Sequence, residues 1–145
     1  MECRTGGAGG NHTLVFTFSN NIVSGNASIT SGTGSVSGTP TVNGNTMTVP
    51  LTGVANAQRI TVTLSSVTDA ASQVLAATPV TVGFLVGDTN GSNSVNTSDI
   101  GQTKAQSGQV VTGANFRMDV TANGGSISSS DVGLVKSAAG TLLAP

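Results

Sequence analysis

Apolar and polar residues alternate in short runs over the first 86 positions, with a period of two that suits strands buried on one face. Thr13–Phe18 places Leu14, Phe16 and Phe18 on one side. A strand is expected at Asn26–Thr30, continuing a run that starts at Ile22, and Gly34–Ser37 and Thr39–Val42 are short edge candidates. Asn43-Gly44-Asn45 predicts a hairpin, because Asn-Gly accepts positive φ. Thr46–Leu51 then turns Met47, Val49 and Leu51 inward, Arg59–Leu64 does so with Ile60, Val62 and Leu64, and Pro79–Val86 with Val80, Val82 and Phe84. Glu2–Thr5 is a further short candidate. About seven short strands separated by polar turns predict a mainly β fold, a β-sandwich of immunoglobulin type over residues 1–86.

From residue 87 the alternation stops. In Gly87–Ile100, oxygen-bearing side chains stand at Asp88, Asn90, Ser92, Asn96 and Asp99, which are positions 1, 3, 5, 9 and 12 of a twelve-residue loop. That is the spacing of a calcium loop, whose seventh position, here Ser94, offers a backbone carbonyl and whose twelfth offers a bidentate carboxylate. Asn93 fills position 6, where the backbone turns sharply. The pattern recurs at Asp119, Thr121, Asn123, Ser128 and Asp131, with Ser126 near the carbonyl position. The second copy is one residue longer, and Ile127 repeats Val95. The segments that follow match too: Ser98-Asp99-Ile100-Gly101 against Ser130-Asp131-Val132-Gly133, each running through a lysine (Lys104, Lys136) to a glycine (Gly108, Gly140). Polar turns are common, but four of the chain's six acidic residues occupy the first and last ligand positions of the two loops. Short helices are expected at 97–107 and 129–139, capped by Asn96 and Ser128, and too rich in glycine and β-branched residues to stand alone. Val110, Val111, Thr112 and Phe116 are expected to plug the small core between them, with a turn at Asn115–Met118.

Residues 87–143 resemble a type I dockerin, a module of two calcium loops, each followed by a helix. Asp88-x-Asn90-x-Ser92-x-x-Val95-Asn96-x-x-Asp99-Ile100 and Asn115-Phe116-Arg117-x-Asp119-Val120 carry the likeness, while Thr121 and the extra residue depart from it. The resemblance implies a dockerin-like domain at 87–145, bound Ca²⁺, and recognition of a cohesin-like partner through Thr97, Ser98, Ser129 and Ser130 with Lys104 and Lys136. Leu51–Leu64 is similar to immunoglobulin-like modules that precede dockerin repeats in secreted bacterial proteins. In such modules another strand precedes the Glu2-Cys3-Arg4 stretch, so the expectation is a sandwich lacking its first strand, with a sheet edge open to another chain.

Composition narrows the function. Charged residues make up 8% of the chain and the net charge is −1, which removes the basic footprint of a nucleic-acid binder. The only aromatics are four phenylalanines, which argues against a carbohydrate platform. No apolar run is long enough to span a membrane, and no signal peptide is visible, so the chain reads as a fragment of a longer secreted protein. His12 has no histidine or second cysteine to share a site with, and Cys3 cannot form an internal disulfide, which leaves an unpaired thiol or an intermolecular bridge. With no base other than His12, no P-loop and no zinc spacing, an enzyme is not expected. The expected function is a non-catalytic, extracellular, calcium-binding module that mediates docking or assembly. The alternative is a structural subunit of a surface fibre or layer, joined to neighbouring copies by β-strand complementation, with Asn11-His12-Thr13 and Asn26-Ala27-Ser28 as sequons for glycosylation.

Overall fold

The computed structural model describes residues 1–145. Seven strands come first: β1 (His12–Thr17), β2 (Ile22–Ser31), β3 (Ser35–Val36), β4 (Thr41–Asn43), β5 (Thr46–Thr52), β6 (Gln58–Asp69) and β7 (Thr78–Phe84). Two helices follow, α1 (Thr97–Ala105) and α2 (Ser129–Ala138), with a single 3₁₀ turn at Phe116–Met118 between them. The architecture is therefore a mainly β N-terminal region of two antiparallel sheets, arranged as a sandwich, followed by a small two-helix part.

In the first sheet β5 is central. It pairs with β1 on one side and with the short β3 and β4 on the other. The second sheet runs β2-β6-β7. The inward residues of the central strands are sealed: Met47, Val49, Ile60 and Val62 are 0% exposed, with Leu51 and Leu64 close behind. Full burial of each such side chain is worth about 1.5–3 kcal/mol. The β4–β5 hairpin closes through Gly44 (φ +57) and Asn45, glycine being the residue that takes positive φ without strain. β2 continues through Gly25, as the run from Ile22 suggests, with its register on β6 shifting there; a side chain at Gly25 would press on Met47 and Val67 at 3.0–3.1 Å.

The chain divides into two compact units. One comprises Ala8–Ala55 and Ile60–Val82; the other comprises Met1–Gly7, Asn56–Arg59 and Gly83–Pro145. The N-terminal residues are thus built into the helical unit. Glu2 bridges Phe84 in parallel, Leu85 donates to the Glu2 carbonyl at 3.0 Å, Gly87 to that of Cys3 at 2.9 Å, and Thr5 to that of Val120 at 2.7 Å.

The core of the helical unit corrects one sequence expectation. Its buried residues are Leu85, Val95, Val120, Val135 and Leu143, flanked by Ile100, Leu134 and Ala138. Val110 is 68% and Phe116 41% exposed, Thr112 is exposed and Val111 only partly covered, so this segment does not plug the core. Its backbone is engaged instead: residues 108–111 pair with the second loop, and the Phe116 ring lies under the Arg4 guanidinium at 5.4 Å.

Candidate functional site

The two polar loops adopt one backbone plan. Positive φ falls on Gly91 (+77) and Asn93 (+67) in the first loop, and on Ala122 (+54) and Gly124 (+70) at the corresponding positions of the second. The extra residue of the second loop is Gly125, also at positive φ (+73). Only alanine is out of character here, since a Cβ makes left-handed geometry costly by about 1–2 kcal/mol. Such strain persists only where the surroundings over-determine it.

Those turns aim backbone N–H groups at the carboxylates, and the bonds repeat loop for loop. Asp88 accepts from the N–H of Ser92 and of Asn93, both at 2.9 Å. Asp119 accepts from those of Asn123 at 3.2 Å and Gly124 at 3.0 Å. Asp99 accepts from the N–H of Asn90 at 3.1 Å and of Asn96 at 2.9 Å. Asp131 accepts from those of Thr121 at 3.0 Å and Ser128 at 2.8 Å. The last bond of each set is half of a capping box: Asn96 and Ser128 cap α1 and α2, and Asp99 and Asp131 reach back to them. One carboxylate therefore closes its loop and starts its helix. The hydroxyls of Thr121 (2.7 Å) and Ser128 (2.9 Å) add donors to Asp131. Burial works to raise the Asp131 carboxyl, but these hydrogen bonds outweigh it and hold it below the usual carboxylate range.

The duplication extends to a reciprocal exchange of backbone. Val95 of the first loop donates to Thr141 and accepts from Gly140, residues that follow α2. Ile127 of the second loop donates to Gln109 and accepts from Gly108, residues that follow α1. Each loop is thus pinned by the tail of the other's helix, and Val95 and Ile127 are the buried anchors. Arg117 ties the first loop further, donating to the carbonyls of Asp88 and Thr89 at 2.8 Å each.

Of the sequence-chosen oxygens, Asp88, Asp99, Asp119 and Asp131 are buried, at 0–4% exposure, while Asn90, Ser92, Asn96, Asn123 and Ser126 are exposed and Ser94, Thr121 and Ser128 are partly covered. Each loop therefore has two enclosed carboxylates and a rim of neutral amide, hydroxyl and carbonyl oxygens. Arg4 pairs with Glu2 at 2.9 Å rather than with a loop carboxylate, though it is close enough to Asp119 to feel its charge, and Arg117 spends its N–H groups on the first loop's carbonyls. A carboxylate has about four lone-pair positions, so Asp88 and Asp119, with two N–H bonds each, keep acceptor capacity. Buried anionic pairs of this kind are costly unless a cation compensates them. No three His, Cys, Asp or Glu side chains gather anywhere, and the all-oxygen set fits a hard cation such as Ca²⁺ rather than a soft one.

The six residues put forward for partner contact, Thr97, Ser98, Lys104, Ser129, Ser130 and Lys136, are all exposed, at matching places in the first and last turns of the two helices. Sequence reasoning missed Thr89 and the left-handed Ala122, and named Arg117 in its motif without a role at the first loop. Thr89 is 3% exposed and its hydroxyl reaches Asp99 at 3.3 Å. Its one signal was its place beside Asp88 in the repeat, and Ala122 could have been found by aligning it with Gly91. Compared with family models, curated proteins and solved structures, the chain matches none.

Proposed function

We propose that the helical unit is a calcium-binding docking module of dockerin type, carried on an immunoglobulin-like sandwich, and that it works outside the cell without catalysis. One observation carries this reading: two loops of equivalent hydrogen bonding each enclose a pair of buried aspartates that form no salt bridge with a lysine or arginine. Asp88, Asn90, Ser92, Asn96 and Asp99, with the Ser94 carbonyl, would hold one ion. Asp119, Thr121, Asn123, Ser128 and Asp131, with a carbonyl near Ser126, would hold the other. Bound Ca²⁺ neutralises the carboxylates and couples loop closure to helix formation, because Asp99 and Asp131 serve both. The duplicated exposed faces around Thr97, Ser98 and Lys104, and around Ser129, Ser130 and Lys136, then offer a partner two equivalent ways to dock.

With two carboxylates per loop, affinities of about 10⁻⁵–10⁻³ M are expected, in the extracellular range. Isothermal titration calorimetry on calcium-stripped protein should give two binding events. No heat and no change in unfolding midpoint at millimolar Ca²⁺ would sink the reading.

A further inference from the structure

The two sheets have four edges, and three are protected. β3 and β4 are fragments of two and three residues. β2 is one strand, but its register on β6 shifts at three places, as bulges do. β7 contains Pro79 and Gly83. Short strands, bulges and prolines are the devices by which natural sheets refuse foreign strands. β1 has none of them. It pairs on one side only, with β5, in unbroken register from His12 to Thr17. Thr13-Leu14-Val15-Phe16-Thr17 includes no charge, no proline and no glycine, and Val15 is 61% exposed.

The sandwich is also unfinished beside this edge. β2 lies across from β3, β4 and β5, which leaves β1 on the side of β7. Along that side the inward residues Leu14 and Phe16 of β1, and Val80 and Val82 of β7, stay partly exposed, whereas Val49 and Ile60 on the central strands are fully covered.

We infer that β1 is an interaction edge that pairs antiparallel with β1 of a second copy of this chain. The segment complements itself. Centred on Val15, the pairing sets Val15 against Val15 and Thr13 against Thr17 on the outer face, and Leu14 against Phe16 on the inner face. Cross-strand β-branched, Thr–Thr and aromatic–aliphatic pairs of this kind are favourable. Charge agrees with it: between Ala8–Ala55 and Ile60–Val82 the only acidic or basic side chain other than His12 is Asp69, so two copies meet with almost no repulsion. One such ladder is smaller than a standard stable interface, so the dimer is weak. This inference does not rest on the calcium-docking reading.

Sedimentation velocity across a concentration series, in calcium and in chelator alike, tests it. The expected result is monomer–dimer exchange indifferent to calcium, weakened about tenfold or more by Val15→Lys and by the double variant Thr13→Lys/Thr17→Lys, each of which sets like charges opposite one another across the ladder. All three positions are exposed, and circular-dichroism melting identifies any variant whose fold is lost; the other then serves. Isotope-filtered NMR on mixed labelled and unlabelled protein should place Thr13 of one copy near Thr17 of the other. A monomer up to about 1 mM, association that survives a folded lysine variant, association that requires calcium, or cross-chain contacts elsewhere would each overturn the proposal.

Discussion

Asp88→Ala separates the two contributions of the first loop. In the calcium-free protein the substitution leaves the Asn93 N–H without its carboxylate acceptor, while that of Ser92 keeps its second bond, to the Asn90 side chain at 2.9 Å. An orphaned buried donor costs about 1–3 kcal/mol, and water reaches this exposed rim, so a loss toward the lower end, roughly 1–2 kcal/mol, is expected. With calcium the loss grows. At a hundredfold excess over the dissociation constant one bound ion adds about 2.7 kcal/mol, and Asp88→Ala forfeits it for the first site. For a unit of this size that difference is on the order of 10 °C in midpoint. Asp119→Ala should forfeit less. Thr121 replaces an amide ligand with a hydroxyl already donated to Asp131 at 2.7 Å, and Gly125 lengthens the turn that must present a carbonyl. The assay is thermal or urea unfolding of the parent and both variants, each with chelator and with calcium. If calcium raises the midpoint of Asp88→Ala as much as that of the parent, Asp88 is not a ligand. If Asp119→Ala loses more of the calcium effect than Asp88→Ala, the ranking of the sites is wrong.

Asn93→Val places a β-branched residue at φ +67 and should cost about 1–2 kcal/mol, with weaker calcium binding at the first site and little change at the second; calorimetry reads both. Cys3 is buried, its thiol donates to the Arg117 carbonyl at 3.4 Å, and burial pushes its pKa up to about 11, so it should resist Ellman's reagent at pH 8 until the protein unfolds. Because the folded value lies above the ordinary 9.0, that contribution is complete below about pH 9 and is lost as pH rises toward 11; Cys3→Ala should flatten this alkaline limb in unfolding measurements. Asp69 is held below the usual carboxylate range by hydrogen bonds from the Gln73 backbone and the Asn20 side chain, and also accepts from Ala71, while burial opposes them. The stability it confers is present above the ordinary carboxylate pKa and fades as pH falls through the lowered value, so Asp69→Asn should reduce the acid sensitivity of the sandwich unit in a pH-dependent urea titration.

Much of the architecture was legible in the chain because the signals are local. Period-two alternation located β1, β5, β6 and β7 and named the inward residues Met47, Val49, Leu51, Ile60, Val62 and Leu64, all of which are buried. The repeat of Asp, Asn and Ser at fixed spacing located both loops, and Asn96 and Ser128 cap the helices where a side-chain oxygen must satisfy free N–H groups. What remained hidden depended on distant parts of the chain. Val110 is as apolar as Val95 and Val135, yet it is exposed and they are buried, because residues 108–111 are drawn to the second loop by backbone hydrogen bonds that no side-chain pattern encodes. The inclusion of Met1–Gly7 in the helical unit rests likewise on backbone pairing with Phe84, Leu85, Gly87 and Val120. Side-chain periodicity reports which face of an element prefers to leave water. Which element arrives to cover it is decided by chain topology, and so only by the tertiary structure.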